Sequence, residues 1–296
     1  MAKTYNDIYI ETRRALRDAG IEACGQEARY IVAAAADKSV AELLKDIALY
    51  PAAGFGKRVR DMVDRRLAGE PVAYITGLWE FYGVPLEITR DVLIPRPDTE
   101  VMAEAAITLF AGRNGRPRIL DLCAGSGCVG CALAVQMPGS KVVLVDNDRR
   151  ALAVCRRNVQ KNRLDTRVMC IEADVTQKPP MLMGKFDLIT CNAPYIPTAE
   201  LADLDPSVRD YEPVAALDGG KDGLDIIRPV AELWKSVLKD SGVIMLEIGE
   251  GQSAAVQALL TANGFADVGA LKDPGGTERV VLGRLPAAKQ QDISAG

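Results

Sequence analysis

An asparagine followed by a fixed carbonyl and an aromatic ring can grip a nitrogen, and residues 192–195 supply that set as Asn-Ala-Pro-Tyr. The side-chain oxygen of Asn192 and the backbone carbonyl of Ala193 are both acceptors, suited to the two hydrogens of one NH2 group. Pro194 biases Ala193 toward an extended backbone. Tyr195 adds a ring face, which attracts a cation. The plain alternative is an ordinary strand-to-loop turn. A second set lies upstream, in Asp121-Leu122-Cys123-Ala124-Gly125-Ser126-Gly127. Glycines in such a turn let the backbone bend tightly and come close to a ligand.

Asp146 lies past that turn at about the 20-residue spacing where a nucleotide-binding fold places its ribose-binding acid. Asp121 and Asp174 suit ribose hydroxyls, an amino group and the adenine amine, and they repel a pyrophosphate. The plain alternative for each is a solvated loop acid, and for Asp174 the two readings weigh about equally. The dinucleotide fingerprint is present only nominally, as Gly125-x-Gly127-x-x-Gly130. S-adenosylmethionine carries the matching groups and a cationic sulfonium without a phosphate, so it fits this set better than NAD does.

The chain contains no histidine, which excludes imidazole general bases, Ser-His-Asp and Cys-His catalysis, and histidine metal sites. Cys123, Cys128 and Cys131 sit around one turn with no second pair to complete a tetrahedron, so they read as small packing residues and no metal is expected. Thirty-six basic and 40 acidic residues give a net charge of −4, which argues against a protein built mainly to grip phosphate backbones. Seven cysteines, an odd number, fit reduced thiols in the cytoplasm. The N-terminus has early acids and no apolar signal core, and no apolar run is long enough to span a bilayer, so no membrane association is expected.

The elements that would carry these residues follow from hydrophobic periodicity. Residues 4 to about 69 read as helices punctuated by Gly20, Gly25, Pro51 and Gly54. Around Trp79, Phe81 and Tyr82 the texture becomes a short hairpin or two extended pieces. Ile94-Pro95-Arg96-Pro97 then keeps the chain extended, before a helix over 100–110 capped by Asp98 or Thr99. From Arg118 strands and helices alternate. Strands are expected at 119–122, 142–145, 167–171, 186–190, 243–247 and 279–282. Helices are expected at 128–136, 149–161, 224–238 and 253–263. That rhythm predicts an α/β fold, a mostly parallel sheet with helices on both faces. The expected domains are a helical one over 1–70, an extended linker over 71–97 packed near the site, a catalytic domain over 98–285 and a disordered tail over 286–296.

With these residues in view, the chain resembles the PrmC/HemK family, S-adenosylmethionine-dependent methyltransferases that modify the glutamine of peptide chain release factors. The likeness runs through Pro71-x-x-Tyr74-x-x-Gly77-x-x-Glu80-Phe81, Leu93 to Glu100, the 121–127 turn and the 192–195 tetrapeptide. It continues in Arg209 to Pro213 and Gly276 to Val280. The resemblance implies a Rossmann-like class I methyltransferase sheet behind a small helical domain that docks the release factor. Cofactor contacts are expected at Asp121, Cys123, Ala124, Gly125, Ser126, Gly127, Asp146, Asp174, Val175 and Asn192. Asn192, Ala193, Pro194 and Tyr195 would hold the glutamine, with Arg96 grouped among the substrate-binding residues. Two departures stand out. The family tetrapeptide is Asn-Pro-Pro-Tyr, and Ala193 keeps its carbonyl but removes a rigid ring. Val175 stands where some members place an aromatic against adenine.

The expected chemistry is direct displacement, giving S-adenosylhomocysteine as product. Class 1 release factors are the expected partners, with no direct nucleic-acid binding. Three other readings remain open at this point: an adenine N6-type nucleic-acid methyltransferase, a catalytically silent cofactor- or partner-binding protein, and a nicotinamide oxidoreductase. The first lacks a visible target-recognition domain, and residues 1–90 balance 13 basic against 13 acidic groups. Intact Asn192, Pro194, Tyr195 and Asp146 speak against the second, and the acids of the turn against the third.

Overall fold

Capping chemistry sets the start of the first helices. In the computed structural model, which describes residues 2–112 and 115–287, Thr4 and Asp7 form a reciprocal capping box at α1 (Tyr5–Asp18). Ser39 and Glu42 do the same at α3 (Val40–Lys45). With α2 (Cys24–Ala35), α4 (Phe55–Leu67) and α5 (Val72–Thr76) these helices enclose a core that includes Leu16, Ile31, Leu43, Phe55 and Val59. Amphipathic faces therefore find their partners within this unit.

Packing divides the described chain into two compact units. One takes the chain to Trp79 together with Ile88–Arg90 and Asp205–Tyr211; the other takes Glu80–Glu87, Asp91–Leu204 and the chain from Glu212 on. The segment expected as a linker thus contributes α5 to the helical unit, and the returning stretch holding α9 (Pro206–Arg209) belongs there too. Within that unit Glu70 is buried and receives both Arg65 and Arg90 at 2.7 Å. The Tyr211 hydroxyl donates to the Ala68 carbonyl at 3.0 Å.

The hairpin of β1 (Leu78–Phe81) and β2 (Val84–Glu87) leads into α6 (Glu100–Phe110). The second unit is then built on a seven-stranded sheet. Its strands are β3 (Arg118–Leu122), β4 (Lys141–Asp146), β5 (Val168–Glu172), β6 (Phe186–Cys191), β7 (Leu238–Glu247), β8 (Ala266–Lys272) and β9 (Glu278–Arg284), in the spatial order β5-β4-β3-β6-β7-β9-β8. β3 to β7 pair in parallel, and β9 runs antiparallel to both β7 and β8. Helices α7 (Cys128–Gln136), α8 (Arg149–Lys161), α10 (Ile227–Leu233) and α11 (Ser253–Ala262) complete it. Central strands such as β3 and β6 are almost wholly buried, as a sheet covered on both faces requires.

Three local expectations are corrected. The stretch 224–238 is not one helix: α10 ends at Leu233, a 3-10 turn follows, and Leu238 already opens β7. Strand β8 was not foreseen, because no residue of Ala266–Lys272 is fully buried and the stretch shows no strict apolar alternation. Neither Asp98 nor Thr99 caps α6 through its side chain; a 3-10 turn over Pro97–Thr99 leads into that helix instead. The tail expected over 286–296 lies, from residue 288 on, outside the described residues.

Candidate active site

Strand order reverses between β3 and β6, with β4 on one side of β3 and β6 on the other. In open α/β sheets ligands bind at such a switch, beyond the carboxyl ends of the strands. Both sequence motifs arrive there. Leu122 is in register with Cys191, so Cys123 and Asn192 leave neighbouring strands together. A cleft enclosing about 1070 Å³, mouth included, opens above them.

Its walls hold Asp121, Cys123, Ala124, Gly125, Ser126, Asp146, Asp174, Val175, Asn192 and Pro194. Five aspartates contribute, counting Asp91 and Asp148, and no lysine or arginine lies among the described lining residues. Such a wall suits a cationic ligand and is hostile to phosphate.

Each acid has its own setting. Asp146 Oδ2 accepts the Gly125 N–H at 2.8 Å and Oδ1 accepts the Asp148 N–H at 2.9 Å; burial nevertheless pushes its pKa up. The carboxyl thus shapes the turn as well as facing the cleft. Asp121 is also bonded within the fold, with Thr190 Oγ1 donating at 2.8 Å and the Gly130 N–H at 3.0 Å. Burial raises its pKa to about 7 against those two bonds. Asp174 is exposed and holds a local turn by accepting from the Thr176 N–H and hydroxyl at 2.8 and 2.7 Å. Beside it, Val175 is buried, and its carbonyl accepts the Trp234 indole N–H at 2.8 Å, which pins this edge of the cleft.

The glycines divide their tasks. Gly125 has φ +53° and open space where a Cβ would stand, so the turn needs its conformation and the cleft uses its emptiness. Gly127, with φ +78°, begins α7. At Gly130 a Cβ would meet Leu144 Cδ2 at 2.1 Å, so this glycine lets α7 lie close on β4.

The 192–195 stretch is split by the fold. Asn192 and Pro194 line the cleft, whereas Ala193 is buried in the core and Tyr195 packs against that core. Burial, with Glu247 nearby, lifts the Tyr195 hydroxyl to about 12, so it stays protonated. Arg96 is not among the lining residues. It pairs with Glu212, which is nearly inaccessible and also accepts the Ile94 N–H at 3.1 Å.

Three residues here carry roles that the chain order did not reveal. Asn158 on α8 is fully buried and donates to the carbonyls of Glu87 and Ser126, each at 2.9 Å, tying the turn to β2. Thr99 accepts from Asn192 Nδ2 at 3.3 Å. Glu247, at the end of β7, is buried beside Asn192, and burial raises its pKa to about 7, with Thr99 and Asn192 pulling the other way. The one available signal for Glu247 was its place at the carboxyl end of a predicted strand.

Known proteins resemble the chain along both units. A family model described as the methyltransferase small domain matches residues 104–203, and one described as the PrmC N-terminal domain matches residues 7–77. A protein from Caulobacter vibrioides named release factor glutamine methyltransferase is 36% identical, covering 96% of this chain and 97% of its own length. One of the same name from Geobacter sulfurreducens is 42% identical over 76% of this chain and 77% of its own. Among solved structures, a methyltransferase from Pyrococcus furiosus covers 76% of this chain and 98% of its own at 16% identity, with a TM-score of 0.51. That last likeness is one of fold alone.

Proposed function

The chain belongs to the release factor glutamine methyltransferase family, and we propose that it carries that activity. The acceptor would be the side-chain amide nitrogen of the glutamine in the Gly-Gly-Gln motif of class 1 peptide chain release factors. The observation that carries this reading is the meeting of Asn192 with an acid-lined cleft at the β3–β6 switch whose described lining holds no lysine or arginine.

The residues present fit S-adenosylmethionine. The cleft offers acids to ribose hydroxyls and amino groups, an apolar wall at Val175 and a glycine turn, and its described lining holds no cation to bind phosphate. Asp121, Cys123, Ala124, Gly125, Ser126, Gly127, Asp146, Asp174, Val175 and Asn192 are the proposed holding set. Bound there, the cofactor would supply an electrophilic methyl group and leave as S-adenosylhomocysteine.

Asn192 Oδ1 and the Ala193 carbonyl would accept the two hydrogens of the glutamine NH2, while Pro194 and Tyr195 shape the slot. An amide nitrogen is a poor nucleophile because its lone pair is delocalised. Acceptors on its hydrogens stabilise the positive charge that develops on nitrogen during attack, orientation supplies much of the rest, and the methylated nitrogen then loses one proton to water. No imidazole is needed, in keeping with a chain that has none. The helical unit is assigned to docking the release factor, in the cytoplasm and without direct nucleic-acid binding. Arg96 is kept in the substrate-binding set through its clamp on Glu212, which holds the Ile94–Arg96 stretch.

Mass spectrometry of a purified release factor incubated with this protein and S-adenosylmethionine tests the reading. One methyl on the Gly-Gly-Gln glutamine, absent with Asn192→Ala, is the expected result. An unmodified factor, despite measured cofactor binding, would overturn the substrate.

A further inference from the structure

Strand register makes a carboxyl the neighbour of the Asn192 amide. Cys191 pairs with Leu246, so the residues that follow, Asn192 and Glu247, leave adjacent parallel strands side by side. Glu247 is 2% exposed, and its Oε2 has no hydrogen-bond partner among the described residues. A carboxyl so placed is costly to bury. Thr99, 1% exposed, completes the group: its hydroxyl oxygen accepts an Asn192 amide hydrogen at 3.3 Å, and Thr99 and Asn192 both pull down the carboxyl pKa that burial raises.

We propose that Glu247 and Thr99 are positioning residues that hold the Asn192 amide in one of its two flips, with its NH2 turned to them and its Oδ1 left to accept from the substrate. An amide has a donor end and an acceptor end that a flip exchanges. In its ionised form the carboxyl only accepts, so it opposes the flip that would bring Asn192 Oδ1 against it. The Thr99 hydroxyl can accept from Asn192 while donating to Glu247, so the hydrogen bonds run one way, from amide to carboxylate. In the opposite flip the NH2 of Asn192 would meet the NH2 of the substrate, donor against donor, and the site could not recognise an amide nitrogen. Neither residue has to touch the substrate. The buried carboxyl thereby has a task that its burial alone does not explain.

The inference rests on the activity proposed above, and the test separates the two. In uniformly 15N-labelled protein, the side-chain NH2 of Asn192 is identified as the pair lost in Asn192→Asp, and its exchange with solvent is measured without any cofactor or substrate. Slow exchange is expected in the native protein. It should rise at least about tenfold in Thr99→Val and Glu247→Leu, and change little in Thr99→Ser, which keeps an acceptor in place. Single-turnover methylation should follow the same ranking. The rate constant should fall roughly 10- to 100-fold in the first two variants while the Kd for S-adenosylmethionine stays within about threefold.

Free-amide exchange in the native protein, or a rate unmoved by Thr99→Val, overturns the positioning role. The exchange ranking without methylation of any release factor would keep that role and remove the proposed reaction. Thermal melting of each variant identifies a Glu247→Leu protein that has lost its fold, in which case the nearly isosteric Thr99→Val decides.

Discussion

At the scale of single residues, the proposed reaction divides the site into groups that should fail differently. Asn192 is proposed to act on the nucleophile, so Asn192→Ala should lower kcat by about 100-fold or more. Its effect on the Kd for S-adenosylmethionine should stay within a few-fold, as titration calorimetry would read. Equal losses in both would move Asn192 to cofactor binding. Asp146 faces the other way. Its carboxyl both offers oxygens to the cleft and holds the Gly125 N–H at 2.8 Å, so Asp146→Ala should raise that Kd roughly tenfold or more, the loss of about one charge-assisted hydrogen bond. Its kcat at saturating cofactor should change far less. Asn192 and Asp146 were legible in the sequence because each stands in a local pattern of residue types. Glu247 and Thr99 were not, because the β6–β7 pairing brings the first to Asn192 and the 3-10 turn before α6 brings the second, each from a distant part of the chain. An isolated Glu at a strand end carries no sign of the amide lying next to it.

Elements position these groups by how closely they pack, and the glycines of the turn make that measurable. Gly130 sits where α7 crosses β4, and a methyl group there would lie 2.1 Å from Leu144 Cδ2 and 3.1 Å from Val142 Cγ1. Gly130→Ala should therefore cost about 1–3 kcal/mol through overpacking, read as a lower urea midpoint with an unchanged slope. Gly125→Ala meets nothing within 4 Å. It carries only the left-handed backbone penalty of about 1–2 kcal/mol, but it places a methyl in the cleft and should weaken cofactor binding more than Gly130→Ala does. A Gly125 variant that bound cofactor normally would take this turn out of the site. The parallel strands and α7, α8 and α11 were readable from periodicity because each buries a continuous apolar face or run. β8 escaped because an exposed edge strand needs no such pattern. The expected helix over 224–238 failed where the chain passes at Trp234 from α to 3-10 geometry, with the Trp234 indole bonded to the Val175 carbonyl. That tertiary contact overrides local propensity.

At the scale of the whole molecule, the absence of histidine leaves the interval between about pH 5 and pH 7 to the buried carboxyls. Burial raises Asp121 and Glu247 to about 7, and it pushes Asp146 and Glu212 upward as well. A carboxyl whose folded pKa exceeds its unfolded one binds more protons in the native state. Stability then falls as pH rises from the unfolded value toward the folded one, and it levels off above. Other acids work in the opposite sense and in another window. Glu70, held down by Arg65 and Arg90, and Asp273, held down by the Thr277 N–H and Arg279, lend stability that is lost only as pH drops below the ordinary carboxylate range. The two sets together place maximum stability on the acid side of neutrality, near about pH 5. Urea unfolding should show a midpoint that declines from about pH 5 to pH 7 and is flat to about pH 8. Glu247→Gln, which cannot ionise, should make that decline shallower without altering the loss of stability below about pH 4. A midpoint that stayed flat between pH 5 and pH 7 would mean that these carboxyls are ionised in the native protein at ordinary pKa values. Water or neighbouring groups would then be stabilising charges that the fold otherwise buries.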